Sequence, residues 1–150
     1  MNLTEKPEIV TWPETHYVFI EKTGPFMETA PKAWGQLHQN KAKITDQVKI
    51  TGMMSLYKLE PQMIYRAGAI VSGKPANLPE GFRYEKFAGG KYSKFTLVGS
   101  YSQMGEASGR VMTMAKSIPK RDDFFIEHYA NNPENTPEDK LITEILVPTK

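Results

Sequence analysis

The chain has 150 residues, no cysteine, and 19 lysines and arginines against 17 aspartates and glutamates, a net charge of +2. This length is typical of a single domain, and the absence of cysteine excludes disulfides, thiol catalysis and Cys-ligated metal centres. The balanced charge argues against a dedicated nucleic-acid-binding protein. No apolar run reaches the roughly 18 residues of a membrane span, and residues 1–6 lack the layout of a signal peptide, so we expect a cytoplasmic protein.

The first half of the chain predicts the order strand, helix, strand, strand. A stretch rich in β-branched and aromatic residues predicts a strand over 14–21, which Gly24-Pro25 ends. A helix is expected to begin near Thr29 as N-cap, because the apolar residues that follow recur at helical spacing: Ala30, Ala33, Trp34 and Leu37. Two further strands are predicted over 49–59 and 62–71, joined as a hairpin at Glu60-Pro61.

The second half repeats this order after a Gly- and Pro-rich connector over 72–81. A strand is predicted over 82–98, with a bulge or sharp bend at Gly89-Gly90. A helix then runs from about 101 to 118, and the closing strands are expected over 124–130 and 140–147. The spacing of Gly105 and Gly109 is interpreted as letting this helix approach the sheet closely.

The two halves indicate an internal duplication. Gly24-Pro25-Phe26 and Gly99-Ser100-Tyr101 stand at the same place in each half, 75 residues apart. We therefore predict one α+β domain over 1–150, with repeats at about 14–72 and 82–148 that form an antiparallel sheet with two helices. The ligand cleft is expected between the repeats, because ligand sites favour such junctions.

The most informative residue is Glu127. In a strand, Phe125, Glu127 and Tyr129 share one face. If the opposite set, with Ile126, packs on the helices, Glu127 lies between two aromatic rings on the other face. A carboxylate there could accept a hydrogen bond, hold a proton at raised pKa or meet a cation. The alternative is an ordinary solvated carboxylate on a half-exposed strand.

Trp34 is the second candidate, either as a core residue or as a flat surface at the edge of a wet cavity. No metal is expected, because the three histidines are far apart in the sequence and match no ligand spacing: His16, His38 and His128. No cofactor is expected either, since nucleotide-binding glycine motifs and the common hydrolase motifs are absent.

Several short motifs resemble the GyrI-like superfamily, the effector-binding domain also found in multidrug-sensing MerR-type and Rob/AraC-type regulators. They occur in the family's order: Gly24-Pro25-Phe26, Ala33-Trp34-x-x-Leu37, Gly89-Gly90-Lys91-Tyr92, Ile126-Glu127-x-Tyr129 and Thr143-Glu144-Ile145-Leu146-Val147-Pro148. The resemblance covers essentially the whole chain. It implies a cleft that binds amphipathic, often cationic or aromatic compounds.

The resemblance also implies site residues. Glu127 would face a positively charged ligand and Trp34 would line the cleft, with Tyr57, Tyr101 and Tyr129 as weaker carry-overs. Direct contact with nucleic acid is not expected, because only about a dozen residues precede the first predicted strand, too few for a helix-turn-helix domain.

Three functions follow from these observations. The first is a standalone module that binds a small molecule such as a lipophilic cation, has no membrane partner and can form a weak homodimer. The second is a hydrolase of strained electrophilic compounds, with Glu127 as general base and Tyr129 as proton donor or positioning group. The third is a gyrase-inhibitor-like interaction protein, which no acidic stretch of the sequence favours.

Overall fold

A computed structural model describes the whole chain, Met1–Lys150, as an α+β protein with nine strands and two α-helices. The chain divides into two compact units, Pro13–Gly89 (the first unit) and Met1–Trp12 with Gly90–Lys150 (the second unit). Within each unit all strand pairs are antiparallel. In chain order the elements are β1 (Asn2–Leu3), β2 (Glu8–Trp12), β3 (Thr15–Thr23), α1 (Phe26–Thr45), β4 (Ile50–Lys58), β5 (Ile64–Val71), β6 (Arg83–Phe87), β7 (Gly90–Val98), α2 (Met104–Met114), β8 (Phe125–Tyr129) and β9 (Ile142–Pro148).

The first unit is a four-stranded sheet in the order β4–β5–β3–β6, with α1 packed against β5 and β3. The stripe that the helix buries recurs at helical spacing, with Ala33, Leu37 and Ile44 fully buried. On the sheet, Ile20 and Ala67 are directly paired and buried. The sheet of this unit therefore has one apolar face covered by α1 and an opposite face that carries charged residues.

The opposite face of the first unit carries an ionic network centred on the buried Arg66, and a close ring contact. The Arg66 guanidinium pairs with Glu21 at 2.8 Å and with Glu85, and it lies 4.3 Å from the centre of the Phe19 ring. One step along the sheet, the Tyr17 ring lies across Gly68, and its hydroxyl donates to the carbonyl of Met54 at 2.8 Å. Both Tyr17 and Phe19 are fully buried.

The second unit has a sheet in the order β7–β9–β8, with β1 and β2 both paired to the remaining side of β7. The α2 helix is flanked by 3₁₀ turns at Tyr101–Gln103 and Ala115–Ser117. Helix and sheet share one apolar core, formed by fully buried residues: Phe95, Leu97, Ala107, Val111, Ala115, Ile145 and Val147. Neither helix of the chain has the length and apolarity needed to cross a membrane.

The repeated order strand, helix, strand, strand is confirmed, but the ends of the elements differ from the sequence prediction. The first helix begins at Phe26, three residues early. Thr29 is not its N-cap; Pro25 holds that position, and the Thr29 hydroxyl donates instead to the Pro25 carbonyl at 3.1 Å. A buried hydroxyl that bonds back one turn behaves as an interior residue of the helix rather than as its cap.

Two other predictions about strands need correction. The expected strand over 82–98 is two strands, because Gly89 and Gly90 adopt φ values of +76° and +132° and interrupt the pairing rather than bulge it. The residues before position 14, for which no strand was predicted, contain β1 and β2.

The two glycines of α2 do not bring the helix close to the sheet. Gly105 and Gly109 are exposed, and a Cβ atom built on either meets no atom within 4 Å. The apolar side of the helix is formed by Ala107 and Val111 instead. The interpretation of this spacing as a close approach was therefore wrong.

Candidate functional site

The second unit contains a carboxylate cluster, formed by Glu127, Tyr129 and Tyr101. Glu127 and Tyr129 are two residues apart on β8, so both side chains lie on the same face of the strand. The Tyr129 hydroxyl donates to Oε1 of Glu127 at 2.8 Å. Tyr101, in the turn that leads into α2, meets the Tyr129 ring edge to face, with centroids 5.6 Å apart. The tyrosines therefore supply both a hydrogen bond and a wall of rings to one carboxyl group.

The cluster lies on the helix-facing side of β8. Glu127 pairs directly with Ile145, which belongs to the core shared with α2, and Phe125 on the same face packs against that core. The sequence analysis placed Ile126 and its face toward the helices instead. The prediction that Phe125, Glu127 and Tyr129 share one face of the strand was correct. The prediction that the opposite face meets the helices was wrong, because Phe125 packs against the core that includes α2.

The carboxyl group of Glu127 has no cationic partner. No lysine, arginine or histidine forms an ion pair with it, and the residue is only partly exposed. Loss of hydration raises its pKa above the usual glutamate value, and the hydrogen bond from Tyr129 offsets only part of this rise. Glu127 is thus an uncompensated acidic group in an aromatic setting.

The first unit contains an aromatic cluster on its helix-facing side, formed by Phe26, Trp34, Ser55, Tyr57 and Tyr65. The Trp34 indole on α1 donates to the Tyr65 hydroxyl on β5 at 2.8 Å, and that hydroxyl lies 2.6 Å from the Ser55 hydroxyl on β4. Phe26, at the start of α1, contacts both tyrosine rings at about 5.5 Å. Tyr57 and Tyr65 are buried, whereas Trp34 and Phe26 keep partial exposure.

The two clusters are built in the same way from equivalent elements. Phe26 meets Tyr57 edge to face with centroids 5.6 Å apart, and Tyr101 meets Tyr129 with the same geometry and spacing. In each unit the first ring opens the helix and the second lies on the strand that follows it. Two residues before the second ring stands Ser55 in the first unit and Glu127 in the second. The repeats therefore present equivalent positions with different charge.

All five residues predicted from the sequence lie in these clusters: Glu127, Tyr101 and Tyr129 in the carboxylate cluster, and Trp34 and Tyr57 in the aromatic cluster. The sequence analysis missed Tyr65, Ser55 and Phe26. The 75-residue offset that pairs Gly24-Pro25-Phe26 with Gly99-Ser100-Tyr101 could have identified Phe26, once Tyr101 was a candidate. No group of three or more His, Asp or Glu side chains is placed to hold a metal ion.

The raised pKa of Glu127 predicts that the Glu127→Gln variant is more stable than the wild type at neutral pH. A carboxyl group whose folded pKa is raised destabilises the folded state as the pH rises from its unfolded pKa, about 4.3, toward its folded pKa. Glutamine has no proton to lose, and its amide oxygen can still accept from Tyr129. We expect urea denaturation at pH 7 to show a higher free energy of unfolding for Glu127→Gln than for wild type, a gain that disappears below about pH 4. A gain of equal size at both pH values would show that ionisation is not its cause.

Comparison with known proteins assigns the chain to a class of small-molecule-binding domains. The profile of the GyrI-like small molecule binding domain matches residues 5–150, so the chain belongs to this family. No curated protein sequence matches it.

Solved structures show the same fold at low sequence identity. The crystal structure of the EcmrR C-terminal domain is similar to this chain with a TM-score of 0.80 and 15% identity, covering 100% of this chain and 99% of that one. In the EcmrR–DNA complex the match covers 97% of this chain but 57% of the EcmrR chain, so this chain spans little more than half of that protein. The structure of SAV2435 bound to tetraphenylphosphonium matches with a TM-score of 0.72 and 19% identity, covering 97% of this chain and 94% of that one.

Proposed function

We propose that this GyrI-like domain binds a lipophilic organic cation, with Glu127 as its counter-charge. The observation that carries the proposal is the carboxyl group of Glu127, which is partly buried among rings, accepts a hydrogen bond from Tyr129 and lacks any cationic partner. A desolvated carboxylate without a partner costs free energy in the empty protein. A ligand that brings a positive charge to it removes this cost, so the site favours cations over neutral compounds.

The rings around Glu127 determine what kind of cation fits. Tyr101 and Tyr129 present flat, polarisable surfaces beside the carboxyl group. Such surfaces attract a cation whose charge is spread over an apolar or aromatic body, whereas a strongly hydrated ion such as a free ammonium would lose its water for little return. The ligand class is therefore an amphipathic organic cation. Tetraphenylphosphonium, which SAV2435 binds, belongs to this class.

The aromatic cluster of the first unit supplies a second set of stacking surfaces, with hydrogen-bonding groups on Trp34, Tyr65 and Ser55. The sequence predicts that one ligand uses both repeats, and this stays a prediction. A double-mutant cycle that combines Trp34→Ala with Glu127→Gln tests it. If both residues contact the same ligand, the two losses of binding free energy are expected to be non-additive.

Binding of tetraphenylphosphonium to the wild-type protein is the direct test of the proposed function. A ligand at 100 times its Kd stabilises the folded state by about 2.7 kcal/mol, which corresponds to a Tm higher by about 5–10 °C for a chain of this size. We expect such a rise with tetraphenylphosphonium and none with an ammonium control of equal charge. An unchanged Tm, together with no heat of binding by calorimetry, would contradict the proposal.

The same geometry supports one alternative, a hydrolase. A carboxyl group with raised pKa and a tyrosine hydroxyl 2.8 Å from it are groups that general acid–base catalysis uses. The two functions differ in turnover. Incubation with electrophilic aromatic epoxides or related strained rings, followed by product analysis, is expected to show no hydrolysis above the buffer rate if the domain only binds. Hydrolysis that Glu127→Gln abolishes would favour the alternative.

A further inference from the structure

The face of β8 opposite the carboxylate cluster carries a second polar group, centred on His128. His128 and Glu144 are directly paired residues of β8 and β9, and the His128 Nδ1 atom lies 2.8 Å from Oε1 of Glu144. Both side chains are about four-fifths buried. Because His128 lies between Glu127 and Tyr129 in the sequence, its side chain points away from the carboxylate cluster. Nothing in the proposed binding chemistry uses this pair directly.

The groups around His128 fix the orientation of its ring. Lys94 on β7 pairs with the other carboxylate oxygen of Glu144 at 3.3 Å and with Glu8 on β2 at the same distance. The hydrogen bond from His128, with the charge of Lys94, holds the pKa of Glu144 below its usual value. An ionised carboxylate can only accept, so Nδ1 of His128 carries a proton and donates it to Glu144. The Trp12 indole on β2 meets the ring edge to face, with centroids 5.2 Å apart.

We propose that His128 and Glu144 are positioning residues that hold Glu127 and Tyr129 in the arrangement that binds the ligand. The role of Glu127 in binding rests on the proposed function. The effect of His128 on the position of Glu127 does not, and it can be measured without a ligand. β8 has five residues and pairs with β9 at four positions. A largely buried hydrogen bond at one of these four positions ties the side chains of β8 and β9 together in this register, and a shift of one residue would turn Glu127 to the wrong face.

The matched variants are His128→Leu and His128→Asn. Leucine removes the hydrogen bond to Glu144 and keeps apolar volume, whereas the asparagine amide places a donor where Nδ1 stands in histidine. Neither introduces a charge. Glu8→Gln is the control, because it removes only the exposed partner of Lys94 and leaves the bond between His128 and Glu144. Glu144→Leu breaks the same bond from β9 and serves if His128→Leu does not fold.

The first measurement does not need a ligand. In wild type, the ¹³C carboxyl resonance of Glu127 is expected to titrate above the ordinary glutamate value. In His128→Leu we expect this titration to move toward the ordinary value, since the carboxyl group is no longer held among the rings. His128→Asn and Glu8→Gln are expected to keep the wild-type titration. An unchanged Glu127 titration in His128→Leu, or in Glu144→Leu, would overturn the proposal.

The second measurement separates this proposal from the proposed function. Tetraphenylphosphonium affinity is expected to fall about 10-fold in His128→Leu and to return to within about 2-fold of wild type in His128→Asn. If wild type does not bind the probe, the proposed function fails, while the titration still decides whether His128 positions Glu127. If wild type binds and His128→Leu binds equally well, the positioning role is wrong and the proposed function stands.

Discussion

Replacing Glu127 with glutamine is expected to weaken the binding of tetraphenylphosphonium by about 30- to 100-fold. The substitution keeps the size of the side chain and an acceptor for the Tyr129 hydroxyl, so the loss reports the charge alone. A loss of this size corresponds to about 2–3 kcal/mol, the lower end of the cost of removing one partner of a desolvated charge pair. Isothermal titration calorimetry at pH 7.5 and low salt measures it directly.

Two comparisons make this result specific. Glu106→Gln, on the exposed side of α2 and paired with Arg110, is expected to leave the affinity within about 2-fold of wild type. The wild-type affinity is also expected to fall as the pH drops through the raised pKa of Glu127, because the protonated carboxyl group no longer attracts a cation. Glu127→Gln should lack this pH dependence. Equal affinity of Glu127→Gln and wild type at pH 7.5 would contradict the assignment of Glu127 as the counter-charge.

Substitution of Gly68 by alanine is expected to lower the free energy of unfolding by about 2–3 kcal/mol. A Cβ atom at this position would lie 2.4 Å from two atoms of the Tyr17 ring. Tyr17 is fully buried and its hydroxyl is bonded to the Met54 carbonyl, so the ring can move away only by giving up packing and a hydrogen bond. Urea denaturation, or a fall in Tm of about 6–10 °C, measures the effect.

The matched control is Gly35→Ala, which has the opposite expected sign. Gly35 lies inside α1, is exposed, and has no atom within 4 Å of a Cβ built there. Alanine is a better helix former than glycine by about 1 kcal/mol, so this variant should be more stable than wild type. If Gly68→Ala were as stable as Gly35→Ala, the contact between Tyr17 and Gly68 would not constrain the sheet.

The sequence predicts those elements whose structure depends on residues close together in the chain, and it misses those that depend on distant pairing. The apolar stripes of α1 and α2 recur every three to four residues, and both helices are confirmed. β1 and β2 were not predicted because they are short and pair with β7, whose paired residues lie 78 to 96 positions further along the chain. The end of the strand at Gly89-Gly90 was not predicted either. Glycine indicates a change of backbone direction, but only its φ values decide whether the strand bulges or ends there.

The candidate site was predictable in part. The alternation in β8 places Glu127 and Tyr129 on one face, and the structure confirms that they share it. Which face meets the helix depends on Phe125 and its packing under α2, and a strand with aromatic residues on both faces does not reveal that from its sequence. Tyr65 was missed because its role depends on a hydrogen bond to Trp34, 31 residues away on another element.

The matching ring pairs at the start of each helix give the two units related clusters, of which only the carboxylate cluster carries an acidic group. Phe26 with Tyr57 and Tyr101 with Tyr129 form ring pairs of the same geometry, and the residue two positions before the second ring differs between them. Ser55 and Glu127 occupy equivalent positions beside the matching ring pairs, so at these positions one cluster holds a neutral hydroxyl group and the other an acidic carboxyl group. A substitution at either position therefore changes the charge of that cluster, while the pair of rings beside it stays in place.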